Sequence, residues 1–233
     1  MGAALNIGAA LHMGAPPDMG AALNVNSSNA VQILLLVGGL TLVPAILFTV
    51  TGFSRILIVL GFIRTAVGTN TAPPNQVLVG IALFLTIFVM APTVGAIKKD
   101  AVEPLEGHKI STTTALVRAE QPLREFMFRQ TRAEDISLFI SLAHLKTPQT
   151  RAQVPTYVLI PAFMMSELKT AFQIGFLVFL PFLIIDLIVS STLMSMGMVM
   201  LPPTFISLPF KILLFVLVDG WDLITRSLIT SFH

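Results

Sequence analysis

Residues 194–203 read MSMGMVMLPP, an uncharged stretch between two long apolar runs, 172–193 and 204–218. If the chain turns here, the flanking runs become the two arms of a helical hairpin, and that reading decides the fold. Met194, Met196, Met198 and Met200 occupy alternate positions. Thioether side chains are unbranched, polarizable and easily repacked, so together they offer a soft apolar surface. Gly197 frees the backbone, and Pro202 and Pro203 are read as the stop for the preceding helix. Two readings stay open on this stretch alone: the methionines pack a turn, or they form a deformable plug.

The surrounding composition is that of a membrane protein. Of 233 residues 55% are hydrophobic and 11% charged, and the mean hydropathy is +0.86; a soluble domain carries roughly 25% charged residues. There is no cysteine, which excludes disulfides, thiolate metal ligands and a Cys nucleophile. A net charge of +2 is too small to point to nucleic acid. The chain holds 14 basic and 12 acidic side chains, and nine of the former and seven of the latter fall within residues 98–151. That segment is the water-facing part.

Four divisions follow. Residues 1–29 form a Gly/Ala-rich tail, with hexads starting at Gly2, Gly8, Gly14 and Gly20; small residues and prolines bury too little apolar surface to fold, so the tail is read as flexible. It lacks the basic start and continuous apolar stretch of a secretory signal, the first basic residue being Arg55. Residues 30–97 form a first apolar helical block. The run 33–63 exceeds the roughly 20 residues of one span, so a break is expected near Thr49, Thr51 and Gly52, a polar loop over 64–76, and a clean span over 77–97. Residues 98–155 form a charged helical subdomain. There Glu120 precedes Arg124 by one helical turn in the favourable order, Pro122 is read as restarting a helix, and Thr131 with Glu134 fits a capping box. Residues 156–233 form a second apolar block, interrupted by Pro161 and Pro181, carrying the turn at 194–203 and ending in a short amphipathic helix. The expected fold class is an all-α integral membrane protein of kinked apolar helical hairpins with a small charged helical subdomain between them.

Arg55 and Arg64 follow the first apolar run while Asp18 alone precedes it, which favours an outer N-terminal side and an inner 55–76 segment. The single span after it puts the charged subdomain outside, in the periplasm of a Gram-negative cell. Asp186 and Lys211 are the charges set deepest in apolar sequence, on opposite arms of the hairpin. An unpaired charge at that depth is expensive, so they are expected to pair and fix helix register; a proton relay through Asp186 is the alternative. His12, His108, His144 and His233 show no ligand spacing, and no catalytic constellation or phosphate loop is visible. No enzyme activity, cofactor or metal is expected.

The stretch PAFMMSELKTAFQIG at 161–175, with Pro161, Ala162, Phe163, Ser166, Glu167, Leu168, Phe172 and Gly175, resembles the signature of the FliP/SctR-like export-gate family of type III secretion. FSRILIVLGFIRTAVGTNTAPPNQVLVGIALFLT at 53–86 and SLPFKILLFVLVDGW at 207–221 look like further blocks of that family. LPP and SLPFK look more flagellar than virulence-type. The resemblance covers nearly all of the chain from about residue 30. It implies a ring or helical assembly of five copies of the chain with FliQ-like and FliR-like subunits and an FlhB-like switch protein. That assembly lies in the bacterial inner membrane within the flagellar basal body and passes unfolded flagellar subunits. It also implies a methionine gasket in the central pore, carried here by Met198, Val199 and Met200, with Met194 and Met196 beside them; a third Met often stands at the Val199 position. Other classes stay open beside it: a proton-coupled channel or transporter subunit using Asp186, or a passive membrane assembly scaffold.

Overall fold

The computed structural model describes residues 27–69, 71–198 and 200–232. Most of the tail read as flexible, Val199 and His233 lie outside them. Among the described residues every regular element is helical. The chain divides into two compact units between Val43 and Pro44; the packing described below belongs to the second.

Helix α1 spans Ser27–Val50 and α2 spans Phe53–Val67. The break between them has a local cause. The Thr51 hydroxyl donates to Leu47 O at 2.5 Å and accepts from Phe53 N at 3.3 Å, so one side chain closes the first helix and opens the second. Helix α2 ends at Gly68, and Arg64 reaches over the following loop to Asn75 Oδ1 at 2.5 Å. Helix α3, Asn75–Ile97, passes through a π-turn at Lys98–Val102 into α4, Glu103–Glu106.

Helix α5 spans Thr112–Gln130 and α6 spans Ala133–Leu142. Ser111 caps α5 by accepting from Thr114 N at 3.3 Å. Two local expectations are corrected here. Pro122 lies inside α5 and does not restart it, because a proline removes only its own backbone donor and neighbouring helical bonds and packing carry the turn. The capping box does not form. Thr131 Oγ1 turns back to Met127 O at 2.6 Å, and Arg132 N donates to Ser166 Oγ of the next long helix at 3.0 Å.

That helix, α7, spans Thr156–Ser195, 40 residues, and holds Pro161 and Pro181 without ending at either. At 1.5 Å per residue it is about 60 Å long. Helix α8, Pro203–Leu217, returns from it, and α9 covers Gly220–Thr230. Two helices, 75–106 and Thr156–Ser195, are long and apolar enough to cross a membrane, and a third span results if the bent pair 37–50 and 53–67 counts as one. The core lies where α2 runs along α7: Ile56, Val59 and Ile63 meet Leu159, Phe163 and Ala171, and α3, α5 and α6 close the sides.

Candidate functional site

The methionine stretch is a turn closed by backbone geometry. Met198 N bonds Leu193 O at 3.0 Å and Gly197 N bonds Met194 O at 3.0 Å, with Gly197 at φ +75°. This is the paired 6→1 and 5→2 closure that ends helices on a left-handed residue. Gly197 therefore stops α7. Pro202 and Pro203, read as that stop, instead start α8, with Pro203 at the first helical position where its missing N–H is no loss. Met194, Met196, Met198 and Met200 are 68%, 63%, 42% and 98% exposed, so the side chains do not pack the turn from within. Val199 falls outside the described residues.

Below the turn the two arms are tied. Asp186 Oδ2 accepts from Lys211 Nζ at 2.6 Å and Asp186 Oδ1 accepts from Ser207 Oγ at 2.6 Å. Ser207 and Lys211 stand one helical turn apart on α8, so both face the same carboxylate. Lys211 is nearly buried, while Asp186 keeps 30% exposure.

The 161–175 stretch divides by helix face. Ala162, Phe163, Ser166, Glu167 and Gly175 are buried, Pro161 is half-buried, and Leu168 and Phe172 are exposed, Phe172 standing edge-on to Phe62 with centroids 5.2 Å apart. A Cβ on Gly175 would collide with the Phe62 ring, so this residue sets how closely α7 meets α2. Ser166 and Glu167 each anchor a polar node that sequence reading did not assemble.

Glu167, 0% exposed, forms an ion pair with Arg55, 1% exposed. Arg55 Nε donates to Glu167 Oε2 at 3.0 Å and Nη2 to Glu167 Oε1 and, at 3.0 Å, to Gln130 Oε1. Nη1 donates to Ser231 O at 2.8 Å and Ser231 Oγ at 3.1 Å. All donors of the planar fork are engaged, the arrangement in which a buried guanidinium is tolerable. The signal was present: Arg55 is the lone charge of the first apolar run, and Glu167 is an acid near the start of the second. Their separation of 112 positions hid the match.

At the second node Ser166 Oγ donates to Asp135 Oδ2 at 2.6 Å while accepting from Arg132 N, and Lys169 Nζ pairs with Asp135 Oδ1. Burial pushes the Asp135 carboxyl up, but the Lys169 and Ser166 hydrogen bonds and the charges of Lys169 and Arg132 outweigh it and hold the group below its ordinary value of 3.8. This node docks α6 onto α7. Further out, Glu120 and Arg124 pair at 3.7 Å, and Arg124 Nη2 also reaches Val154 O at 2.6 Å. Among the described residues no group of three or more His, Asp or Glu side chains is placed to hold a metal ion.

A family model described as the FliP family matches residues 36–228. The chain is 56% identical over 207 residues to a flagellar biosynthetic protein FliP of Bacillus subtilis (strain 168), an alignment covering 89% of this chain and 94% of that protein. It is 55% identical over 204 residues to a protein of the same name from Pectobacterium carotovorum subsp. carotovorum, covering 88% and 79%. To that of Aquifex aeolicus (strain VF5) it is 46% identical over 210 residues, covering 89% and 88%.

Proposed function

The chain belongs to the FliP family, and on that premise we propose that it is a core subunit of the flagellar type III export gate. Several copies, five by the family resemblance, surround the pore together with FliQ-like and FliR-like subunits and an FlhB-like switch protein. Unfolded flagellar subunits pass through it. The assembly sits in the bacterial inner membrane within the basal body, with residues 98–155 on the periplasmic side.

One observation carries this reading: four methionines project from a single backbone-closed turn, and Met200 is 98% exposed. A ring of such turns, brought together by assembly, gives an apolar constriction that excludes water and makes ion passage costly. The same side chains change rotamer around an entering polypeptide and require no sequence match. Apolar residues exposed along α7 and α8, among them Phe176, Leu187, Phe205 and Leu213, supply surface for neighbouring subunits and lipid.

The reading that makes Asp186 a proton carrier gains no support, since both of its oxygens are engaged, by Lys211 and by Ser207. The test is ion conductance. The chain is co-expressed with its FliQ-like and FliR-like partners, and a defined hetero-oligomer is isolated by native mass. Deleting residues 198–200 raises the resting leak of membranes holding that complex. An unchanged leak from an assembled complex sinks the gasket, and failure to assemble only when the turn is altered favours a scaffold role.

A further inference from the structure

Residues 231–232 occupy a site with the chemistry of a peptide-binding pocket. Two successive backbone carbonyls are read: Ser231 O by Arg55 Nη1 at 2.8 Å and Phe232 O by Gln130 Nε2 at 2.8 Å. The Phe232 ring lies under the Arg55 guanidinium, with Cζ 4.0 Å from the ring centroid, and stacks on Phe126 at 6.3 Å. Room for the ring comes from Gly52 in the turn between α1 and α2, where any Cβ would strike it. Ser231 O also belongs to the carbonyl end of α9, so a cation meets the negative pole of a helix.

The rest of α9 is seated by apolar packing. Its buried residues Ile224 and Leu228 continue in one stripe to Phe232. Ile224 and Leu223, however, line an apolar cavity of about 410 Å³ whose other walls include Ile174, Val178, Phe182 and Leu214. The groove is open along one side, so Leu223 stays exposed there while Ile224 and Leu228 are buried against the body of the protein. At its start Asp219 stands at φ +49° and ψ +56°, a left-handed conformation, and no side chain caps the helix. The helix is thus jointed at Asp219, seated by the apolar side chains of Ile224 and Leu228, and fastened by polar contacts at 231–232.

We propose that Gly52, Arg55, Phe126 and Gln130 form an internal peptide-binding site whose occupant is Ser231–Phe232 of the same chain, and that this contact straps α9 over the apolar groove between α7 and α8. The strap is releasable because Arg55 keeps its bidentate partner Glu167 when Ser231 leaves, while the Nη1 and Gln130 Nε2 donors that served Ser231 and Phe232 are uncovered to water by the same departure. Release frees the end of α8 remote from the methionine turn. The proposal holds whether or not that turn seals a pore.

The chain has no native cysteine, which makes single-cysteine labelling direct. Leu228→Cys places a thiol beneath α9 where the side chain is 1% exposed, and Leu159→Cys places one in the α2–α7 core at 0%. Maleimide labelling of the full chain in its membrane complex is then compared with and without Phe232→Ala or Gln130→Ala. Loss of the fastening raises the Leu228→Cys rate by about tenfold, as local opening does, with the Leu159→Cys rate unchanged. An unchanged rate at Leu228→Cys overturns the strap, and so does a parallel rise at both positions, which would mean general loosening of the core.

Discussion

Lys211 Nζ stands 2.6 Å from Asp186 Oδ2 and joins the two arms of the methionine hairpin inside an otherwise apolar stretch. Removing one partner of such a pair strands the other charge, whereas removing both does not. Lys211→Met therefore lowers stability by about 2–3 kcal/mol, and Lys211→Met with Asp186→Asn lowers it by less than that single change. Thermal unfolding of the detergent-solubilised protein reads the order of the variants. Asp186→Asn with full export activity agrees with a register pair and removes any proton-carrying role.

The Asp135 node gives a pH dependence of definite sign. The folded carboxyl titrates below its ordinary 3.8, so its stabilising contribution is complete above that pH and is lost as pH falls through the lower folded value. Asp135→Asn costs about 1–2 kcal/mol at neutral pH, where the charge-assisted bonds are intact. The difference between parent and variant shrinks once pH drops below roughly 4. Unfolding midpoints across that range test it, and a difference that grows in acid contradicts the assignment.

Among the described residues, three helix ends close on a left-handed residue through a pair of backbone bonds, besides the α2 end at Gly68, for which one such bond is seen. Gly197 does so at φ +75°, while His108 and His144 do so at +54° and +52°, each with the same paired backbone bonds. A side chain in this conformation costs about 1 kcal/mol. His108→Gly and His144→Gly each raise stability by up to about 1 kcal/mol, and Gly197→Ala lowers it by a similar amount. Chemical denaturation separates these opposite signs.

Gly175 and Phe62 form a size-matched contact between α7 and α2, with no space for a Cβ. Gly175→Ala lowers stability by about 1–3 kcal/mol through overpacking. Adding Phe62→Leu recovers part of the loss, because a smaller side chain yields the space. A double-mutant cycle on unfolding energies checks the coupling, and strict additivity speaks against it.

The membrane helices were legible because a span needs about 20 apolar residues and the runs show that length directly. The turn before Phe53 was legible from Thr51 and Gly52, and the partnership of Asp186 with Lys211 from their being isolated in apolar surroundings and close along the chain. Local patterns failed where a distant residue took over. Thr131 looked like a helix cap, but Ser166 accepts the Arg132 N–H from another helix, and Thr131 is left to bond backward. Proline content suggested breaks at Pro122, Pro161 and Pro181, yet each lies within a continuous helix. The 161–175 stretch was recognised by likeness, while the tasks of Ser166 and Glu167 depend on Asp135 and Arg55, which no spacing rule connects to them.

Helix α7 is held by adjacent residues, Ser166 and Glu167, each gripped by a separate buried node, and from there it runs about 42 Å to the methionine turn. Mechanically it is a lever with its fulcrum near one end. A tilt of about 5° at the fulcrum carries the tip sideways by nearly 4 Å, roughly the width of one side chain, at the 1.5 Å rise per residue of an α-helix. The same tilt shifts Gly175 by about 1 Å against Phe62, so an adjustment at the α2–α7 seam reaches Met194 about three to four times larger, a size that matters for whatever the methionines touch.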